Sequence, residues 1–222
     1  MVLPWDKDFL SSKTELSSKT ILYASEGQNV NNVSRSIVKK ILGNIDSKDY
    51  LNLPLEEIAS QNFIFLYPKD KSVIDIDQIR DSFKYLFLKS NSKRLLYLEN
   101  IERIETRTFN TLLKFSEEAD KNMIICMSTN NINIVPKTIL SRFQKLKIPK
   151  PSNEIVKQHL INLGLNFDEQ KNDFVLQNLT LLDEDEDKNI NELFLKFDEY
   201  EAKKEISTKD KEEIRLFLDY QI

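Results

Sequence analysis

Thr20-Ile21-Leu22-Tyr23-Ala24-Ser25-Glu26-Gly27-Gln28-Asn29-Val30-Asn31 joins an apolar, strand-like run to a helix-like one. Its reading decides the fold. Ile21, Leu22 and Tyr23 are continuously apolar, and Val33, Ile37, Val38 and Ile41 then recur at helical spacing up to Leu42. A strand, a short loop and a helix in this order are the setting of a phosphate-binding loop, whose pattern is G-x-x-x-x-G-K-[ST]. The glycines of that pattern let backbone N–H groups close on phosphates, the lysine reaches the outer phosphates, and the hydroxyl holds Mg²⁺. Here the four defining positions are Ala24, Asn29, Val30 and Asn31. The spacing is kept and the chemistry is gone, because Val30 supplies neither charge nor side-chain donor. Gly27 is the sole glycine of the stretch and reads as a turn residue with positive φ.

Four more runs read as strands, at residues 62–67, 94–98, 123–128 and 145–148, the first strand being 20–24. Most are continuously apolar rather than alternating, which suits a parallel sheet covered on both faces. Helical patterns lie between them at 32–42, 77–88 and 108–118. Asp75 and Asp77 offer acidic caps to the second helix and Thr106 a cap to the third. Strands alternating with helices define a doubly wound α/β fold. Pro149 and Pro151 stop the last strand, and Ser152 is placed to cap a new helix running to Leu163. Beyond it come helical patterns at 168–182, 189–203 and 207–220, with the acidic run 183–187 as a solvated loop. The expected domains are an α/β core over 1–149 and a small helical unit over 150–222.

Composition narrows the function. The chain of 222 residues carries a net charge of −4, so no extended basic face for autonomous DNA binding is expected. With one Cys and one His, it holds too few ligands for a structural zinc site. Cys126 sits in an apolar strand and reads as a buried, inert thiol, and His159 as a surface residue. The apolar runs fall short of the ~20 residues that span a bilayer, and no signal-like segment opens the sequence. A soluble, cytoplasmic protein without membrane contact is expected.

The middle of the chain carries the recognisable segments. Leu95-Leu96-Tyr97-Leu98-Glu99-Asn100 resembles the acidic strand end of AAA+ ATPases. Asn110-Thr111-Leu112-Leu113-Lys114-Phe115-Ser116-Glu117-Glu118 resembles the N-A-L-L-K-x-L-E-E helix of clamp-loader AAA+ proteins. Pro136-Lys137-Thr138-Ile139-Leu140-Ser141-Arg142-Phe143-Gln144 resembles their P-x-T-I-x-S-R-C segment, and Asp77-Gln78-Ile79-Arg80 their V-D-x-I-R helix opening. Four such segments in order, over about residues 15–165, resemble the delta-prime subunits of bacterial DNA polymerase III clamp loaders.

That resemblance implies an AAA+ (RecA-like) parallel-sheet core with helices on both faces, followed by a helical lid. It implies a stator-like subunit that does not hydrolyse ATP and is not an enzyme by itself. Its partners would be the ATPase and delta subunits, and through them the sliding clamp and primer–template DNA. Arg142, after Ser141, would project towards ATP held by the neighbouring subunit, where a guanidinium stabilises charge developing at the γ-phosphate. The acidic strand ends in Glu99-Asn100 where an active enzyme has Asp-Glu, and Asn100 has no titratable carboxylate to act as a base. The family's cysteine cluster is absent, so neither metal nor other cofactor is expected. Thr129 and Asn130 stand where active members sense the γ-phosphate, and here imply only structural hydrogen bonds. The leucines of 110–114 read as core, Phe143 as core in place of the family cysteine, Lys114 as a possible phosphate contact, and Glu117 and Glu118 as a solvated helix end. The collar domain that joins the ring in the family is expected to be missing or shortened. The alternatives are a delta-type subunit that grips and opens the clamp directly, an active ATPase with a remodelled loop, and an AAA+ relic outside replication.

Overall fold

The computed structural model describes residues 3–13, 16–25, 27–68, 73–74, 76–86, 92–165, 167–182, 187–203, 206, 208 and 210–221. Asp75, the end of the second expected helix at 87–88 and most of the acidic run 183–187 lie outside these. Strand β1 (Lys19–Tyr23), β2 (Phe63–Leu66), β3 (Arg94–Leu98), β4 (Met123–Thr129) and β5 (Gln144–Lys147) form one sheet in the order β2-β3-β4-β1-β5. Every pairing is parallel. Helices α1 (Asp6–Ser12), α2 (Val30–Asp46), α3 (Ile76–Leu86), α4 (Thr106–Glu118) and α5 (Lys137–Leu140) belong to the same unit. This is an α/β fold of the AAA+ kind.

Side chains alternate across a strand, so a strand covered on both faces must be apolar throughout. Ile21, Leu96, Leu98, Ile125 and Met127 enter one buried cluster with Phe83, Phe109, Leu112, Ile139 and Phe143. Leu22, Leu95, Tyr97 and Cys126 enter the other, under Val30, Val33, Ile37, Val38, Ile41 and Leu42 of α2. Burying each such aliphatic side chain contributes roughly 1.5–3 kcal/mol. The edge strand β5 departs from this rule. Its Lys145 and Lys147 are exposed, and lysines on an edge oppose pairing with a further strand.

Cys126 is fully buried, and burial pushes its thiol well above the ordinary value, so it stays protonated and inert. His159 is half-buried in its helix, Asn153–Asn162, rather than fully exposed.

Two local expectations are corrected and one helix is added. Helix α2 starts at Val30, two residues before the expected onset, because the Asn29 side chain caps it by accepting from the Asn31 N–H. Glu105, not Thr106, is the N-cap residue of α4, and Thr106 is already helical. Helix α1 has no counterpart in the sequence reading, being too short for a periodic signal.

Contacts divide the chain into Pro4–Lys150 and Pro151–Ile222. The second unit holds α6 (Asn153–Asn162), α7 (Glu169–Gln177), α8 (Asp187–Lys203) and α9 (Lys211–Tyr220). Ser152 occupies the N-cap position of α6, though its hydroxyl makes no cap bond. Phe174, Phe194, Phe197 and Tyr220 pack there as a ring cluster, with Phe197 and Tyr220 centroids 5.3 Å apart. No helix among the described residues is long and apolar enough to cross a membrane.

Candidate functional site

The carboxyl ends of β1, β4 and β3 lie side by side, where open parallel sheets bind their ligands. The loop after β1 turns on Gly27 at φ 79° and delivers the chain to the N-terminus of α2. The first amides of a helix are orphan donors and, in a phosphate loop, face the phosphates. Here two of them are taken. The Val30 N–H donates to Asn130 Oδ1 at 3.3 Å and the Asn31 N–H to Asn29 Oδ1 at 2.9 Å. The Val30 side chain, at the position of the motif lysine, is fully buried in the α2 core cluster. Ala24 is also buried there.

A connected set of polar side chains occupies the rest of the site. Asn31 Nδ2 donates to Asn100 Oδ1 at 3.0 Å, and Ser128 Oγ to Asn31 Oδ1 at 3.3 Å. The Tyr97 hydroxyl lies 2.9 Å from Ser128 Oγ and 2.6 Å from Ser34 Oγ. Its O–H is placed to donate to Glu99 Oε2 at 3.3 Å. Burial, reinforced by the Glu99 charge, holds the Tyr97 phenol far above its ordinary value, so it remains a neutral donor. Arg35 from α2 forks onto Glu99, with Nε to Oε2 and Nη2 to Oε1 at 2.8 Å. Its Nη2 also reaches Glu56 Oε1 at 3.0 Å, and the guanidinium lies over the Phe65 ring, 5.4 Å from its centroid. Hydrogen bonding to Glu99 outweighs desolvation and raises the Arg35 value further, which fixes the cation.

Thus Glu99, at the acidic strand end, spends both carboxylate oxygens on a neighbouring arginine. Asn100 sits in the left-handed region at φ 54°, a conformation Asn tolerates better than most residues. Thr129 and Asn130 hold structural bonds: Thr129 Oγ1 accepts from the Asn131 N–H at 3.0 Å, and Asn130 fixes the start of α2. Among the described residues, no group of three or more His, Cys, Asp or Glu clusters as metal ligands do.

Arg142 lies elsewhere, in the turn between α5 and β5. Ile139 and Phe143 are buried on either side of it and anchor the backbone. The Arg142 N–H donates to the Ile139 carbonyl at 2.9 Å. Its side chain is 42 % exposed and pairs with Glu117 of α4, Nη2 to Oε1 at 2.8 Å. Ser141 Oγ donates to the Thr138 carbonyl at 3.0 Å, the same oxygen that accepts from Arg142 Nη1 at 3.1 Å. Leu112 is core and Leu113 packs against it, while Asn110 and Lys114 are exposed. The structure therefore brings Ala24, Asn29, Val30, Asn31, Glu99 and Asn100 together and sets Ser141 and Arg142 apart. Sequence reasoning missed Arg35, Tyr97, Ser34, Ser128 and Glu56. Apart from Tyr97 and Glu99, which are two residues apart, these partners lie far apart in sequence, and only the carboxylate of Glu99 hinted that a cation must face it.

Fold and site together define a domain of the AAA+ kind. Residues 11–152 match the family described as DNA polymerase III, delta subunit. The chain belongs to that family. It is also 33 % identical over 105 residues to the DNA polymerase III subunit gamma of Buchnera aphidicola subsp. Baizongia pistaciae, across 45 % of this chain and 28 % of that protein. An uncharacterized protein of Mycoplasma pneumoniae is 37 % identical over 62 residues, across 28 % of this chain and 24 % of that protein. The chain thus spans about a quarter of the length of the curated relatives it matches. A crystal structure of a DNA polymerase III gamma subunit-related protein from Thermotoga maritima shares the fold, with TM-score 0.50 and 17 % identity, covering 97 % of this chain and 77 % of that one.

Proposed function

We propose that this chain is a non-hydrolysing, stator-like subunit of a replicative clamp loader. It docks beside an ATP-bound subunit and offers Arg142 in trans during loading of a sliding clamp. Its partners on this reading are the ATPase and delta-type subunits, with clamp and primer–template DNA engaged through the complex, in the cytoplasm. The chain has no ATPase activity of its own and takes no cofactor. The observation that carries this reading is the self-filled nucleotide site. Two of the donors that would meet phosphates are bonded to Asn29 and Asn130, and the carboxylate that would serve Mg²⁺ is bonded to Arg35. Arg142, by contrast, stands at the surface on a buried anchor.

The test is the DNA- and clamp-stimulated ATPase rate of the reconstituted loader carrying wild-type chain or Arg142→Ala. A large fall with assembly preserved supports the trans arginine, and an unchanged rate removes it. The second reading is a delta-type subunit that grips the clamp itself, favoured by the description of the matching family. Stable capture of the clamp by this chain alone would select that reading instead.

A further inference from the structure

We propose that Glu117 is a positioning residue for Arg142, holding the guanidinium so that N–H groups on Nη1 and Nη2 remain for an incoming anion; this rests on the reading of Arg142 as a trans arginine. A guanidinium has five N–H donors on a rigid plane, and these form two edges that can each meet an anion with two N–H groups. One edge carries Nε and Nη2, the other Nη1 and Nη2. Both donors of the first edge converge on a single oxygen, Glu117 Oε1, Nε at 3.0 Å and Nη2 at 2.8 Å. Nη1 donates back to the Thr138 carbonyl at 3.1 Å. One N–H on each of Nη1 and Nη2 remains for an incoming anion. Glu117 and Thr138 therefore restrain the plane from two sides and leave one N–H on each of Nη1 and Nη2 for a phosphate.

The supports come from fixed elements. Thr138 belongs to α5, whose Ile139 is buried, and Arg142 is followed by buried Phe143. Glu117 is in the last turn of α4, whose Phe109 and Leu112 lie in the same core cluster as Ile139 and Phe143. The pair is exposed, with 42 % of the Arg142 side chain and 54 % of the Glu117 side chain open to solvent. An exposed ion pair contributes little to stability, so its effect should be read on the reaction. A positioned arginine acts on the transition state more than on bound ATP, and its loss lowers kcat while leaving KM unchanged.

The experiment compares four reconstituted loaders, carrying wild-type chain, Glu117→Gln, Arg142→Ala or both changes, with assembly checked by gel filtration. Glu117→Gln is expected to lower the stimulated kcat roughly two- to fivefold, the scale of an exposed pair, at unchanged KM for ATP. In the Arg142→Ala background it should do nothing further. An unchanged kcat for Glu117→Gln, a raised kcat, or an equal fall in both arginine backgrounds overturns the inference. If Arg142→Ala itself leaves the rate unchanged, the reading beneath it falls as well. If Arg142→Ala lowers the rate and Glu117→Gln does not, only the positioning role is lost.

Discussion

The molecule contains two arginine–glutamate pairs that serve opposite ends. In Arg35–Glu99 the carboxylate side chain is 4 % exposed, both its oxygens are forked by the arginine, and Tyr97 and Glu56 complete the set. In Arg142–Glu117 both partners face water and one carboxylate oxygen does all the accepting. Charges taken out of water must be fully bonded, because an unpaired one costs several kcal/mol. A pair in water carries no such penalty and contributes little to stability. The first pair is committed to the fold, and the second stays open to an incoming anion.

The largest effect that sharpens this contrast is on catalysis. Arg142→Ala should lower the stimulated ATPase rate of the assembled loader by about 10²- to 10³-fold, somewhat below the usual worth of such arginines. Its cost to the stability of the isolated chain should stay within about 0.5 kcal/mol by urea unfolding. Next in size is Val30→Lys, which restores the motif lysine at a fully buried position. It should destabilise the chain by about 3 kcal/mol, because an ammonium enters an apolar cluster without a carboxylate. Titration with a fluorescent ATP analogue should still detect no binding. Saturable binding by this single variant would break the claim that the site is closed by its own side chains.

Glu99→Ala is expected to cost about 2 kcal/mol in the same unfolding experiment. That is below the usual figure for a broken buried pair, since Arg35 reaches solvent and keeps Glu56. Tyr97→Phe removes one hydroxyl from a cluster of four polar side chains and should cost about 1–2 kcal/mol. Glu117→Gln should move stability least, by under about 0.5 kcal/mol. If Glu117→Gln and Glu99→Ala destabilise equally, the division into a committed pair and an open pair is wrong.

The fold was legible because parallel strands buried on both faces announce themselves as unbroken apolar runs. All five strands lie within one residue of their expected ends. What could be read of the site was its losses: Val30 in place of lysine and Asn100 in place of an acid. What fills it could not be read. Arg35 lies on the polar side of a helical repeat, and nothing local says that it reaches Glu99, 64 positions away. Glu117 read as a solvated helix end for the same reason, since its partner Arg142 is supplied by a turn beyond the next strand. Helix onsets were blurred where a capping side chain, Asn29, began the helix earlier than its apolar rhythm.

The left-handed backbone at Asn100 bears on how such a domain changes over generations. A glutamate placed there would meet a conformation that costs a longer side chain of order 1 kcal/mol, while losing the bond to Asn31. A lysine at position 30 would arrive before any phosphate existed to neutralise it, and Glu99 would have to be released from Arg35 before it was free for a metal ion. Each step is a loss until all are made together. On the proposed reading, several substitutions, each unfavourable alone, separate this sequence from one that hydrolyses nucleotide.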